Sequence, residues 1–177
     1  EIANRVGKPR MRLVETLCDF DCVFCIYGCD HLGFKSSTFM DPRIIEDYFL
    51  SWHRRYAEYA HAHGKMYFLH CCGQIDALMD SIIDEVRVDA KHSFEDVICP
   101  VTEAKARWGD RVALLGGLDV DFLARSEPDA VRQRVREVLD VCMPGGGYCL
   151  GSGNWVTDYI PLDNYLAVLD EGRKYGR

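Results

Sequence analysis

Apolar residues follow two textures along the chain. In places they cluster in compact runs, and between those runs they recur every three or four positions among charged side chains. The runs CVFCIYG (22–28), KMYFLH (65–70), VRVDAKH (86–92), RVALLGG (111–117) and GYCLGSG (147–153) have the length and bounding turn residues of strands. The recurring pattern predicts helices. The clearest begins with Asp41 as N-cap and Pro42 at the first helical position, carries Ile44, Ile45, Tyr48, Phe49, Trp52 and Tyr56 at helical spacing, and stops at Gly64. Further helices are expected from about Ile75 to Val86, over 96–108 before Gly109, from a Ser126/Asp129 capping box to about Cys142, after Pro161, and within residues 1–17. DHLGFKSSTFMDP, after the first run, reads as a loop.

Strand and helix therefore alternate in about five units without an internal linker. Such alternation implies an α/β fold, a parallel sheet with helices packed outside it. Ligands in such folds collect at the carboxyl ends of the strands. Here those ends are CDHLG, HCCG, HSFED, GGLDVD and GSGNW, and the unusual residues of the chain lie in them.

Composition narrows the class. The chain has 177 residues, 48% hydrophobic and 28% charged, which suits a packed domain and not a disordered one. Its net charge of −7 and scattered basic residues argue against a nucleic-acid groove. No apolar run has the length of a membrane span, and no segment reads as a signal peptide. Nine cysteines in such a chain read as reduced thiols, some of them metal-binding, and a cytoplasmic protein is expected. The first residue is Glu1, within a helix-like pattern, which leads to the expectation of a fragment.

Three patterns carry candidate chemistry. In LHCCG, His70 and Cys72 lie two apart on an extended segment, so they project to one side, while Cys71 projects to the other. An imidazole nitrogen and a thiolate are both good zinc donors; the plainer reading is a core histidine beside a buried cysteine. Asp30 and His31 follow the first strand, Glu95 follows HSF, and Asp119 and Asp121 follow GGL. Singly each is a turn residue or helix cap, but at successive strand ends they would form an acidic ring around one opening. Finally, Cys18, Cys22 and Cys25 have the C-x3-C-x2-C spacing of a radical S-adenosylmethionine cluster loop. If CVFCIYG is a strand, Cys22 and Cys25 face opposite sides of it, and buried thiols are the better reading. The glycine-rich GGGYCLGSGN lacks a nucleotide-loop pattern, and Cys149 or Asn154 could bring a third donor toward His70 and Cys72 if the sheet curls into a barrel.

Taken in order, LHCCGQIDALMDSIIDE, VDAKHSFED, GDRVALLGGLDVDFLA and PGGGYCLGSGNWVTDYIPLDNYLAVLDEG resemble the C-terminal part of the uroporphyrinogen decarboxylase superfamily. That group includes haem-biosynthesis decarboxylases and zinc-dependent corrinoid methyltransferases, and is related to cobalamin-independent methionine synthase. The resemblance implies a (β/α)8 TIM barrel, of which about five C-terminal units are present as part of a single domain whose first strands are missing. Within the methyltransferase branch it implies zinc on His70 and Cys72, with a third ligand in the last loop. There Gly153 and Asn154 depart from the pattern, leaving Cys149, Asp30 or Glu95 to substitute. Asp30 and Asp119 would then be catalytic, and His31, Glu95 and Asn154 substrate-binding. The implied partners are a small-molecule thiol and a corrinoid or corrinoid protein. The decarboxylase branch uses no metal and acts on an acidic tetrapyrrole; it is the alternative.

Overall fold

The computed structural model describes residues 1–176. Five strands alternate with helices, and they divide into two compact units, Glu1–Lys91 and His92–Arg177. The boundary falls inside the third strand.

The first unit opens with α1, Ile2–Cys18, then β1, Cys25–His31. α2, Pro42–Ile45, passes through a π-helical turn, Glu46–Leu50, into α3, Ser51–Ala62. The start is as the sequence predicts: Asp41 accepts the Arg43 N–H at 2.9 Å and Pro42 occupies the first turn. Gly64 follows with φ +68°, a left-handed stop. β2, Met66–Cys72, pairs parallel with β1 in the register Ile26–Tyr67 through His31–Cys72. After it come a 3-10 turn, Asp76–Leu78, and a π turn, Ser81–Val86, which ends at Arg87 in the left-handed region. Then β3 runs Ala90–His92.

The second unit contains α4, Val101–Trp108, β4, Ala113–Leu115, α5, Val120–Arg125, α6, Pro128–Cys142, β5, Tyr148–Cys149, and α7, Leu162–Tyr175. β4 and β5 are parallel, Leu114 opposite Tyr148.

Four local expectations change. β1 begins at Cys25, not Cys22, because Val23 donates to the Phe20 carbonyl in a tight turn and inter-strand bonding starts only with Met66 to Phe24 O. It also runs on through Asp30 and His31, so those two residues belong to the strand and not to a loop after it. α4 starts at Val101, not near 96, since Pro100 sits in extended backbone (ψ 145°) and residues 95–99 form a turn on the Glu95 carbonyl. Ser126 does not cap α6: it ends the unforeseen α5, and Pro128 opens α6 without a side-chain cap.

The strand ends share a backbone habit. β2 is followed by Gly73 (φ +91°), β3 by Ser93 (φ +91°), and β4 by Gly116 and Gly117 (φ +83° and +104°). Each turns the chain sharply away from its strand. Within each unit the loops so formed are tied by backbone bonds: Gln74 N to Phe34 O, and Phe94 N to Gly153 O with Gly153 N to Leu118 O. Gly153 is needed there. A Cβ on it would lie 2.1 Å from the Phe94 carbonyl oxygen.

Candidate functional site

Side chains alternate across the β1–β2 pair, and residues in register share a face. One face carries Ile26, Gly28 and Asp30 beside Tyr67, Leu69 and Cys71. It is covered by α3, whose His53 reaches both Asp30 and Tyr67. The other face carries Tyr27, Cys29 and His31 beside Phe68, His70 and Cys72. Edge-to-face ring contacts run along it, Tyr27 on Phe68 at 6.4 Å and His31 on His70 at 6.3 Å.

On that second face His70 Nε2 and Cys72 Sγ stand 3.1 Å apart. They are 1% and 6% exposed. A nitrogen and a sulfur drawn together on one strand end form the kind of donor pair zinc prefers, so the chemistry of the pair fits that metal. The count does not reach a complete site. Among the described residues no three His, Cys, Asp or Glu side chains gather as a metal-holding group. Cys149, named from the sequence as a further donor, is exposed and lies on β5 in the second unit. Cys71 faces α3 and is fully buried; burial pushes its thiol up to about 12.

Asp30 occupies the opposite face from His70 and Cys72, which separates it from the pair it was expected to serve. Its Oδ2 is 2.7 Å from His53 Nε2, and His53 Nδ1 is 2.6 Å from the Tyr67 hydroxyl. His53 and Tyr67 are buried at 1% and 0% exposure. Gly28 makes room for this triad, since a Cβ there would meet the Tyr67 oxygen at 2.2 Å. The two ring nitrogens of His53 thus link the Tyr67 hydroxyl to the Asp30 carboxylate. Burial works to raise the Asp30 pKa, but the hydrogen bond and charge of His53, helped by Arg10 at 3.3 Å, outweigh it and hold the carboxyl below its usual range. Burial also pushes the Tyr67 phenol far up, so it stays protonated. Arg10, Asp30 and His53 border a cavity of about 550 Å³ whose other walls are mainly apolar, among them Tyr48, Phe49 and Trp52. The π turn places Tyr48 and Phe49 there. Neither His53 nor Tyr67 stood out in the sequence: one lies inside an amphipathic helix, the other inside an apolar run.

In the second unit Asp119 is the N-cap of α5. Its Oδ1 accepts from Asp121 N (2.8 Å) and Phe122 N (3.2 Å), and its Oδ2 accepts from Asp96 N (2.9 Å). Both oxygens are thus engaged by backbone. Asp121 is exposed and pairs with Arg125 at 2.6 Å. Glu95 is half-buried and its carbonyl anchors the turn before α4. Asn154 Oδ1 accepts the N–H of its neighbour Trp155 at 2.8 Å, and its carbonyl accepts the Ser152 hydroxyl at 2.6 Å.

The C-x3-C-x2-C cysteines occupy three different settings. Cys18 ends α1 and is buried, Cys22 is exposed in the turn, and Cys25 opens β1 half-buried. Cys22 and Cys25 do not face opposite sides of one strand, as the sequence predicts, because Cys22 precedes β1.

Comparison with known proteins gives a consistent picture. Residues 12–175 match the family described as Uroporphyrinogen decarboxylase (URO-D). The chain is 36% identical over 77 residues to uroporphyrinogen decarboxylase of Ralstonia nicotianae, covering 42% of this chain and 21% of that protein. It is 31% identical over 106 residues to the Cupriavidus necator uroporphyrinogen decarboxylase, covering 58% of this chain and 27% of that one. The chain thus matches about a quarter of the length of these relatives. Its fold is that of a methyltransferase from Methanosarcina mazei, with a TM-score of 0.69 at 19% identity over 86% of this chain and 42% of that one. No helix among the described residues is long and apolar enough to cross a membrane.

Proposed function

The chain belongs to the uroporphyrinogen decarboxylase family, and from that premise we propose that it forms part of a methyltransferase moving a methyl group between a corrinoid and a thiol. The reading rests on one observation, the His70 Nε2 and Cys72 Sγ atoms 3.1 Å apart at the end of β2. Zinc held by these two donors would lower the pKa of a substrate thiol and so supply a thiolate near neutral pH. The protein's own contribution is placement. β2 fixes both donors on one face, α3 closes the other, and the burial of the pair excludes water from it. A methylated corrinoid would supply the methyl group, and the thiolate presented at His70 and Cys72 would accept it. Asp30 acts at one remove: held ionised, it anchors α3 through His53 behind the strand that carries the pair. Asp119 holds the start of α5.

The test is elemental analysis of the full-length protein. One zinc per chain is expected, with loss of it in both His70→Ala and Cys72→Ala. Zinc content unmoved by either change removes the proposal.

A second reading is decarboxylation of an acidic tetrapyrrole, favoured by the names of the relatives at 31–36% identity. Metal-free full-length protein that turns over uroporphyrinogen would establish it in place of the first.

A further inference from the structure

The cavity of about 550 Å³ between α1 and α3 lies on the Asp30 side of β1, opposite to the face that carries His70 and Cys72. Its volume and mainly apolar walls are those of a small-molecule site. The walls are fixed where the two helices meet. The Tyr56 hydroxyl donates to the Gly7 carbonyl at 3.0 Å, and the Trp52 ring packs on Gly7 so closely that a Cβ there would lie 2.1 Å from it.

The polar end of the cavity has more donors than acceptors. Arg10 offers a planar fork of N–H groups but touches Asp30 through Nη1 alone, at 3.3 and 3.4 Å. That is longer than the ~2.7–2.9 Å of a tight charge-assisted bond. Asp30 is the more committed partner, because its Oδ2 also meets His53 Nε2 at 2.7 Å. The Arg10 side chain is the more exposed of the two, 46% against 23%. Nε and Nη2 of Arg10 are thus left to face a ligand, while the carboxylate is compensated from two sides. Glu1, the other charged residue on the lining, precedes Arg10 by nine positions, ~14 Å along a helix.

We propose that this cavity binds a small monocarboxylic acid with a compact apolar body, its carboxylate on Arg10 and its body among Ile44, Tyr48, Phe49 and Trp52. Charge complementarity sets the class. An ammonium ligand would meet the surplus donors of Arg10, and an uncharged one would leave them unused. A guanidinium fork matches a carboxylate in shape as well as charge, and a single fork matches a single carboxylate. The inference is independent of the zinc reading, since no residue of the cavity belongs to the His70 and Cys72 pair.

Calorimetric titration of the full-length protein with phenylpropionate, phenylpropanol and phenylpropylamine tests this, because the three share a body and differ only in head group. The acid should bind about 10- to 100-fold more tightly than the alcohol, the worth of hydrogen bonds to a charged group, and the amine should bind most weakly. Arg10→Met should remove the preference for acid over alcohol while leaving the affinity for the alcohol in place. Arg10→Lys, which keeps the charge without the fork, should give an intermediate preference. Tyr48→Ala, at an exposed ring, should weaken acid and alcohol alike and preserve their ratio. Absence of binding by all three probes, equal affinity for all three, or tighter binding of the amine would overturn the proposal. So would a preference for the acid that survives undiminished in both Arg10 variants.

Discussion

In the unit formed by residues 1–91 the strand ends set side chain against side chain, whereas in the unit from His92 onward they set backbone against backbone. β1 and β2 end in the Asp30–His53–Tyr67 chain on one face and the His70–Cys72 pair on the other. β4 and β5 end in glycine turns and in Asp119, whose carboxylate is engaged by three backbone N–H groups. A carboxylate or ring nitrogen bound to another side chain can exchange that partner for a ligand with modest rearrangement. One that satisfies a helix start cannot leave without uncapping the helix. The difference lies in which side chains can change partner: Asp30 and His53 bond to other side chains, whereas Asp119 is committed to backbone N–H groups.

That contrast can be broken by substitution. The largest stability effect is expected at Gly153, where a Cβ meets backbone on two sides, Phe94 O at 2.1 Å and Leu118 O at 3.2 Å. Gly153→Ala should lose about 3 kcal/mol, whereas Gly145→Ala, with positive φ (+78°) but open space, should lose about 1 kcal/mol. Urea midpoints for the two variants decide the matter, and equal shifts would mean that the backbone zipper is not what holds the second unit's rim. Next in size, Tyr67→Phe deprives the buried His53 Nδ1 of its hydrogen-bond partner and should cost about 2 kcal/mol. The Nδ1 resonance of His53 should shift in nitrogen NMR; an unmoved Nδ1 signal would show that Tyr67 is not its partner.

The smallest effect is the pH dependence carried by Asp30. Its folded pKa lies below the ordinary value, chiefly because the His53 hydrogen bond and charge overcome burial. A depressed carboxyl contributes stability that is present above its unfolded pKa and is lost as pH falls through the lower folded value. Asp30→Asn should therefore flatten the acid limb of the stability curve. Parallel acid limbs for variant and wild type would contradict the assignment.

Much of the architecture was legible in the sequence because its signals are local. Asp41, Pro42 and Gly64 mark helix ends by chemistry that acts within one turn, and the alternation of apolar textures set the strand–helix order. The start of β1 was not legible, since Cys22 and Val23 are as apolar as the strand that follows and only the turn closed on Phe20 excludes them. α5 was missed because the signal for its cap, Asp119, was weighed as chemistry. For the candidate site the i, i+2 rule placed His70 and Cys72 together. It could not place Asp30 behind the strand, because that depends on the β1–β2 register and on His53 arriving from α3, both long-range. Tyr67 and His53 fell outside the reading for the same reason: an apolar run and an amphipathic helix do not disclose which polar atom inside them will be paired.

Zinc on His70 and Cys72 is tested most directly by X-ray absorption at the zinc edge of the full-length protein without substrate. The expected first shell contains a sulfur scatterer, with the outer-shell features of a histidine ring. A shell of oxygen and nitrogen alone would contradict the proposal.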